Sequence, residues 1–232
     1  MKFLRPILFT LLLTAIANVH FGQTEMYQED KLASDSKLKN VREMSNKTVS
    51  IGKSEWMLEN LNVSKYRNGE TIRHAKTAQE WADCAKKKQG CWCYYENNST
   101  NGKKYGKLYN WYAVNDSRGL APKGWRIPTA SDWDNLVESL GGKEEAGKKM
   151  KSSIDWSDAC NATNSSGFFG IPGGFRSTEG KFFFKDTYAL WWSSTDFKNN
   201  TAWYMYLYCN LDFAVKYYYA KGDGFSIRCV KN

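Results

Sequence analysis

The last part of the sequence consists of short aromatic runs separated by glycine-rich turns. Runs rich in Phe, Trp and Tyr and bounded by glycines are typical of β-strands. The turns are marked by Gly173-Gly174, Gly180, Gly222 and Gly224, and the runs are Phe168–Phe169, Lys181–Phe184, Leu190–Ser194, Trp203–Tyr208, Val215–Tyr219 and Phe225–Val230. Helical patterns occur only before these runs. Because strands and helices do not alternate, the order predicts an α+β domain with short, mainly antiparallel strands and two or three helices.

Two helices can be located ahead of the aromatic runs. Thr77 and Glu80 have the spacing of a capping box, and Gly90 ends the segment that follows. The second helix begins at Thr129–Asp132 and ends at Gly141-Gly142. Its apolar residues recur at helical spacing and predict one buried face, made of Trp133, Leu136, Val137 and Leu140.

Two further elements are predicted in the first half of the domain. The apolar cluster of Lys107–Ala113 indicates a third helix of more buried character. The domain begins near Thr48, where apolar residues lie in short extended stretches on either side of Gly52. This pattern predicts an opening β-hairpin.

Composition limits the possible functions. The chain has 10 Trp, 14 Tyr and 12 Phe, or 16% aromatic residues, which is more than a core of this size needs, so we expect some rings to face outward. The only histidines are His20 and His74, which excludes multi-histidine metal sites and catalytic devices with two imidazoles. The formal charge of +9 comes from scattered lysines. That scatter indicates a solvated basic surface and no nucleic-acid site, although a weak attraction for anionic glycans stays open.

The N-terminus has the pattern of a secretory signal. Lys2 and Arg5 precede the apolar run Pro6–Ala17, which is too short to cross a bilayer. We therefore predict a signal peptide at residues 1–17, with a cut as late as residue 22 as the alternative. Residues 18–47 are predicted to form a flexible linker and 48–232 the domain, with no membrane span in the mature chain. The protein is expected in the periplasm or on the outer surface.

The six cysteines follow the leader, at positions 84, 91, 93, 160, 209 and 229. An even number in an exported chain predicts disulfides, but many pairings are possible and the sequence does not choose among them. Cys84 with Cys91 is a plausible local bridge. Cys91 and Cys93 are separated by one residue, whereas zinc and redox motifs need two, so no metal site is predicted.

A series of motifs resembles the Fibrobacter succinogenes major paralogous domain family. They follow one order from Val49 to the C-terminus: Val49–Gly52, Glu55–Asn62, Tyr66–Gly69, Tyr105–Val114, Gly119–Thr129, Ala162–Phe168, Pro172–Arg176, Trp191–Ser194 and Gly224–Lys231. The strings combine rare Trp, Gly and Pro residues. The chain is therefore identified as a member of that family over nearly the whole domain.

That family is similar to the C-type-lectin-like superfamily in its formylglycine-generating, sulfatase-modifying branch. The likeness lies in Trp125–Thr129, the helix with Trp133, and Gly224–Cys229. It implies a compact, irregular fold in which late antiparallel strands carry a ligand surface, as in the variable receptors made by diversity-generating retroelements. The sulfatase-modifying enzymes hold copper with a close cysteine pair, whereas Cys229 here stands far from Cys209. The calcium motifs of animal lectins are also missing, so we expect no cofactor and no catalytic residue.

The run Trp203–Tyr208 alternates apolar residues with tyrosine. Because successive side chains of a strand point to opposite faces, Trp203, Met205 and Leu207 are predicted to face the core and the tyrosines to face outward. Rings with hydroxyl tips give contact area at low entropic cost. The predicted ligand-binding residues are Tyr204, Tyr206, Tyr208, Asn210, Asp212, Tyr217, Tyr218, Tyr219 and, at the margin, Trp192 or Phe197. The alternative is that these rings pack a second layer or a hairpin.

Three functions are compatible with this pattern. The first is an exported non-catalytic module that binds a glycan or a surface protein through the aromatic strands. The second is an enzyme, either a copper or thiol oxidase with Cys209 and Cys229, or a glycan-cleaving enzyme with two carboxylates. The available carboxylates are Asp155, Asp158, Asp186 and Asp196. The third is a structural protein of the envelope that associates with itself.

Overall fold

The computed structural model describes residues 48–157 and 160–232. The predicted signal peptide, the predicted linker and Asp158 lie outside the described residues. The α-helices are α1 (Ala78–Lys86), α2 (Ser99–Tyr105), α3 (Trp111–Val114), α4 (Ala130–Ser139) and α5 (Lys143–Met150), with a 3-10 turn at Tyr95–Asn97. The strands are β1 (Thr48–Ile51), β2 (Ser54–Met57), β3 (Arg73–His74), β4 (Cys91–Cys93), β5 (Leu108–Asn110), β6 (Trp125–Arg126), β7 (Gly173–Arg176), β8 (Phe182–Lys185), β9 (Tyr188–Asp196), β10 (Thr201–Tyr208), β11 (Ala214–Ala220), β12 (Gly224–Phe225) and β13 (Val230–Lys231).

The strands form three sheets. Their orders are β1-β2-β13-β6, β11-β10-β9 and β3-β4-β5-β12-β7-β8. Every pairing between named strands is antiparallel except that of β3 with β4. The predicted α+β class with mainly antiparallel strands is therefore confirmed. The described residues contain five α-helices, more than the two or three predicted, because α2 and α5 are short, largely polar segments without a strong apolar stripe.

The two helices with clear start signals are confirmed. The side chain of Thr77 caps α1 and that of Thr129 caps α4, and both capping boxes are complete. The opening hairpin is also present, with β1 paired to β2 across a turn at Gly52, whose φ is +59°. Since β2 pairs with β13, the beginning and the end of the domain lie in one sheet.

Two predicted elements differ from the structure. Leu108–Asn110 is strand β5, and only Trp111–Val114 is helical. The change occurs at Asn110, whose side chain accepts a hydrogen bond from the Ala113 N–H and so caps α3. Phe168–Phe169 lies in no strand, and Phe169 has a φ of +58°, which interrupts extended backbone.

Arg228 explains how this irregular segment is held in place. Its guanidinium is fully buried and donates hydrogen bonds to the carbonyls of Phe168 and Phe169, to the Met57 carbonyl and to Asn60 Oδ1. Burial lowers the pKa of Arg228 to about 9, which leaves it charged at neutral pH. The predicted strand Phe225–Val230 is not continuous. Its two ends belong to β12 and β13, which lie in different sheets, and the residues between them connect those sheets.

The three-stranded sheet has one face that is covered by the core and one face that is more exposed. On the covered face, Met205, Leu207 and Trp191 belong to a core cluster with Trp133 of α4 and Met150 of α5. The predicted core orientation is thus confirmed for Met205 and Leu207, whereas Trp203 is only half-buried. The opposite face carries the tyrosines.

Candidate functional site

The register of β9, β10 and β11 collects tyrosines on one face of the sheet. Directly opposed residues of antiparallel strands share a face. Tyr208 opposes Tyr188, Tyr206 opposes Leu190, and Tyr204 lies between Trp192 and Tyr217. We call this the tyrosine face; it consists of Tyr188, Leu190, Trp192, Ala202, Tyr204, Tyr206, Tyr208, Val215, Tyr217 and Tyr219.

A pocket of about 320 Å³ opens against the tyrosine face. Its lining contains no charged residue, and only Leu190 is not aromatic. The lining residues are Phe175, Phe184, Tyr188, Leu190, Tyr204, Tyr206, Tyr217, Tyr219 and Phe225. We call it the aromatic pocket. Phe184, Tyr217 and Tyr219 are 51%, 49% and 45% exposed. Three large rings at its rim therefore contact water, as the aromatic excess in the sequence predicted.

Phe184 reaches the pocket through an unusual backbone conformation. Its φ is +62°, in the left-handed region that bulky residues avoid. In a regular strand Phe183 and Phe184 would point to opposite sides. Here their rings lie 5.5 and 5.9 Å from the ring of Phe175, measured between centroids. Gly174, on the facing strand, has a φ of +61°, and a Cβ there would approach the Phe183 carbonyl oxygen to 2.4 Å.

Trp192 and Tyr204 form the base of the pocket. Trp192 is 0% exposed, stacks on Phe225 at 4.2 Å and donates its indole N–H to the Tyr109 carbonyl. The prediction that Trp192 lies at the ligand margin is therefore wrong, because its ring lies beneath the lining. Tyr204 does line the pocket but is only 8% exposed, and burial raises the pKa of its hydroxyl.

Tyr218 is separated from its two neighbours. It opposes Trp203 in the register and therefore belongs to the other face of the sheet. Its ring stacks on Phe197 at 4.3 Å and lies 5.9 Å from Trp203, edge to face. Tyr218 is thus outside the aromatic pocket, and the predicted row of three adjacent binding tyrosines is divided by the alternation of β11.

The polar residues predicted after β10 are also outside the pocket. Asn210 is exposed and donates a hydrogen bond to the Tyr208 hydroxyl at 3.1 Å. Both carboxylate oxygens of Asp212 accept from the Asn161 amide at 3.0 Å, and its carbonyl accepts from the Lys148 N–H. These bonds attach the loop to α5. Asp212 therefore does not line the aromatic pocket, and its polar groups are bonded within the domain.

Tyr208 lies at the end of the tyrosine face, stacked on Tyr188 at 4.5 Å, and supports that wall without lining the pocket. The lining residues missed by sequence reasoning are Phe175, Phe184, Tyr188, Leu190 and Phe225. Four of them fall in or beside the aromatic runs, and Phe175 follows the Gly173-Gly174 turn. These residues come together because distant strands pair and because the backbone of Phe184 is left-handed. The alternation of side chains within each run does not encode either feature.

A second recess, of about 460 Å³, adjoins the first around the edge strand β11. We call it the acidic recess because its only charged lining residues are Glu179 and Asp223. Tyr217 and Tyr219 line both spaces. The remaining lining is Ser177, Thr178, Thr201, Tyr218 and Ala220. A largely aromatic space therefore adjoins an acidic one.

The cysteine arrangement separates the two residues of the proposed oxidase pair. Cys209 forms a disulfide with Cys160, so it is not available to Cys229. Cys229 is a buried thiol, and burial raises its pKa to about 12. The copper or thiol pair proposed from the sequence is therefore contradicted. Cys84 and Cys91 are buried free thiols, so the predicted local bridge is not formed in this structure.

The carboxylates proposed for glycan cleavage have separate partners. Asp155 pairs with Lys104 at 2.7 Å, Asp196 pairs with Lys221 at 2.6 Å, and Asp186 accepts a hydrogen bond from a tyrosine hydroxyl at 2.9 Å. Within residues 48–157 and 160–232, no three metal-ligating side chains of the His, Cys, Asp and Glu types lie close enough to hold an ion. In the same described ranges no helix is long and apolar enough to cross a membrane.

Comparisons with known proteins place the chain in a family. No curated protein and no solved structure matches it. The Fibrobacter succinogenes major domain matches residues 49–231, which is nearly the whole of the described domain. The resemblance seen in the Trp, Gly and Pro strings is thereby confirmed at the level of the family, and the chain belongs to the Fibrobacter succinogenes major domain family.

Proposed function

We propose that the chain is an exported, non-catalytic binding module that holds part of a glycan or of a surface protein in the aromatic pocket. The observation that carries the proposal is the lining itself, in which eight aromatic side chains surround a space of about 320 Å³. Folding ordinarily buries such rings, and clustered apolar surface left in water is typical of binding sites. A ligand would complete the burial of Phe184, Tyr217 and Tyr219.

The chemistry of the lining favours recognition by stacking. Aromatic faces bind the flat apolar side of a sugar or an apolar side chain, and tyrosine loses little side-chain entropy on binding. Phenolic hydroxyls are the only polar side-chain groups in the pocket. The base is already ordered by the packing of Trp192 on Phe225, so the site needs little reorganisation when a ligand enters.

The finer architecture that we propose is the C-type-lectin-like fold of the sulfatase-modifying branch. The mixed α+β layout and the late antiparallel strands β9 to β11 are compatible with it. In that superfamily the late strands display the ligand surface, which agrees with the place of the aromatic pocket. Export to the periplasm or the outer surface is supported by the N-terminal signal pattern and by the Cys160–Cys209 disulfide, which is typical of oxidising compartments.

The test compares two rim variants with one matched control in a screen against polysaccharides and surface proteins. Phe184→Ala and Tyr219→Ala remove rings from the pocket. Phe213→Ala removes an aromatic ring of similar exposure, 37%, that does not line the pocket. We expect each rim variant to raise Kd about tenfold or more, as loss of a central aromatic contact does, and the control to bind as the wild type.

Two results would overturn the proposal. The first is a ligand that the rim variants retain as tightly as the wild type does. The second is an absence of retained ligand together with a mass that rises with concentration in light scattering. That second outcome would favour self-association through the exposed rings.

A further inference from the structure

The acidic recess contains a buried carboxylate, that of Asp223, with no cation beside it. Its charged lining residues are Glu179 and Asp223. Lys221, close to Asp223 in sequence, is ion-paired with Asp196 at 2.6 Å. A hydrogen bond from Ser177 and, to a smaller extent, the charge of Lys181 lower the pKa of Glu179. Asp223 is therefore the carboxylate of the recess that lacks a nearby cation.

Asp223 has one carboxylate oxygen in use and one free. Its Oδ1 accepts hydrogen bonds from the N–H and the hydroxyl of Thr178, both at 2.6 Å. The residue is only 2% exposed. Its Oδ2 is buried and has no hydrogen-bond partner among the described residues. A buried acceptor without a partner destabilises the folded state. Oδ1 alone is bonded within the fold, and Oδ2 is covered by the surrounding lining, so a donor from outside reaches it only when that lining moves.

The electrostatics agree with that geometry. Burial, with a smaller contribution from the negative charge of Glu179, raises the pKa of Asp223 to about 6. The carboxylate is therefore ionised at neutral pH without a compensating cation. The rings of Tyr217, Tyr218 and Tyr219 line the same recess, and aromatic faces attract cations.

We propose that the ligand of this binding module is a peptide segment in which a lysine side chain adjoins an aromatic or aliphatic one. The apolar side chain fills the aromatic pocket, and the lysine ammonium enters the acidic recess beside Tyr219. As the lining adjusts around it, the ammonium donates to Asp223 Oδ2. This inference rests on the proposed function and, of the two ligand classes named there, selects a protein.

A peptide suits the two spaces better than a glycan does. Every sugar ring carries several hydroxyls that lose water on binding and need hydrogen-bond partners. The aromatic pocket offers no carboxylate, amide or guanidinium side chain to supply them. An apolar side chain needs none, and a lysine has one compact charge that a free carboxylate oxygen can meet.

The experiment measures binding of two acetylated dipeptide amides to the full chain by ligand-observed NMR. Acetyl-Phe-Lys-amide carries the ammonium, and acetyl-Phe-norleucine-amide has a similar length without charge. The variant Asp223→Asn keeps an oxygen for Thr178, and its unfolding midpoint is measured alongside. We expect the wild type to bind the lysine peptide about tenfold more tightly than the norleucine peptide, and Asp223→Asn to lose that preference.

The pH dependence gives a second readout. The groups that face Asp223 are Glu179, Thr178 and the ring of Tyr219, and none of them supplies a cation. Lysine is protonated throughout the accessible range, whereas Asp223 must lose its proton to accept the ammonium. Affinity for the lysine peptide should therefore rise between pH 5 and pH 7.5 in the wild type and stay flat in Asp223→Asn.

The outcomes separate this inference from the proposed function. Equal binding of both peptides, or a lysine preference that survives Asp223→Asn, overturns the inference and leaves the aromatic pocket intact as a site. Failure of both peptides with binding of an amino-sugar oligomer also overturns it, in favour of a glycan. Binding that is insensitive to Phe184→Ala would overturn the proposed function as well.

Discussion

The backbone at Phe184 can be tested by comparing two substitutions that remove the same ring. Phe184→Gly and Phe184→Ala both delete the phenyl group, which is 51% exposed. They differ in whether a Cβ remains at a φ of +62°. Phe183, its neighbour in β8, is not among the residues with positive φ and is 37% exposed, so the same pair of substitutions there is a matched control.

The size of the effect follows from the backbone. A left-handed conformation costs an L-residue about 1–2 kcal/mol, which glycine avoids. Glycine in a strand costs about 0.5–1 kcal/mol relative to alanine, because its unfolded chain is freer. At position 183 alanine should therefore be more stable than glycine by about 0.5–1 kcal/mol. At position 184 the order should reverse, and the difference between the two comparisons should be about 1–2 kcal/mol.

The assay is urea unfolding of the four variants under conditions that keep the disulfide oxidised. The free energy of unfolding is compared at equal m-values, so that a change in the unfolded state is not mistaken for strain. If alanine is the more stable residue at both positions by the same amount, Phe184 is not held in a left-handed conformation. The account of how two adjacent rings reach Phe175 would then be wrong.

Three further predictions concern the rest of the domain. Arg228→Met should cost more than about 3 kcal/mol in denaturant unfolding, because several buried carbonyls and the Asn60 amide oxygen lose their donor; a loss under 1 kcal/mol would contradict the role of Arg228. Cys160→Ser opens a bridge between residues 49 apart and should cost about 4 kcal/mol, measured against the oxidised wild type, whereas an unchanged midpoint would count against the pairing. Asp223 has a folded pKa of about 6 against 3.8 unfolded, so the native state holds its proton longer and stability should fall by about 2 kcal/mol from pH 4 to pH 6. Asp223→Asn should flatten that part of the pH profile, and an identical slope in both proteins would refute the assignment.

Much of the local structure could be predicted from the sequence because its signals act over a few residues. The capping boxes at Thr77 and Thr129 give α1 and α4 their starts, and the alternation in β10 gives the core side of Met205 and Leu207. Each depends on periodicity or on a hydrogen bond between near neighbours. The family can also be recognised from the sequence, because the match rests on short strings of residues in a fixed order.

The rest required contacts between distant segments. Trp192 is covered because Phe225 stacks on it, and nothing in the run around Trp192 indicates which ring is covered. The one local exception is Tyr218, which faces away from Tyr217 and Tyr219 because successive side chains of β11 point to opposite faces. The Cys160–Cys209 pairing joins a loop to the end of β10, and cysteine spacing does not encode such pairings.

The central claim is that ligand binds on the tyrosine face, and ring-labelled NMR tests it most directly. Tyrosine rings carrying ¹³C are followed while acetyl-Phe-Lys-amide, or a ligand retained in the screen, is added to saturation. Shifts are expected for Tyr206, Tyr217 and Tyr219, which line the aromatic pocket, and none for Tyr66, which is buried elsewhere. Saturation that leaves those three resonances in place would contradict it.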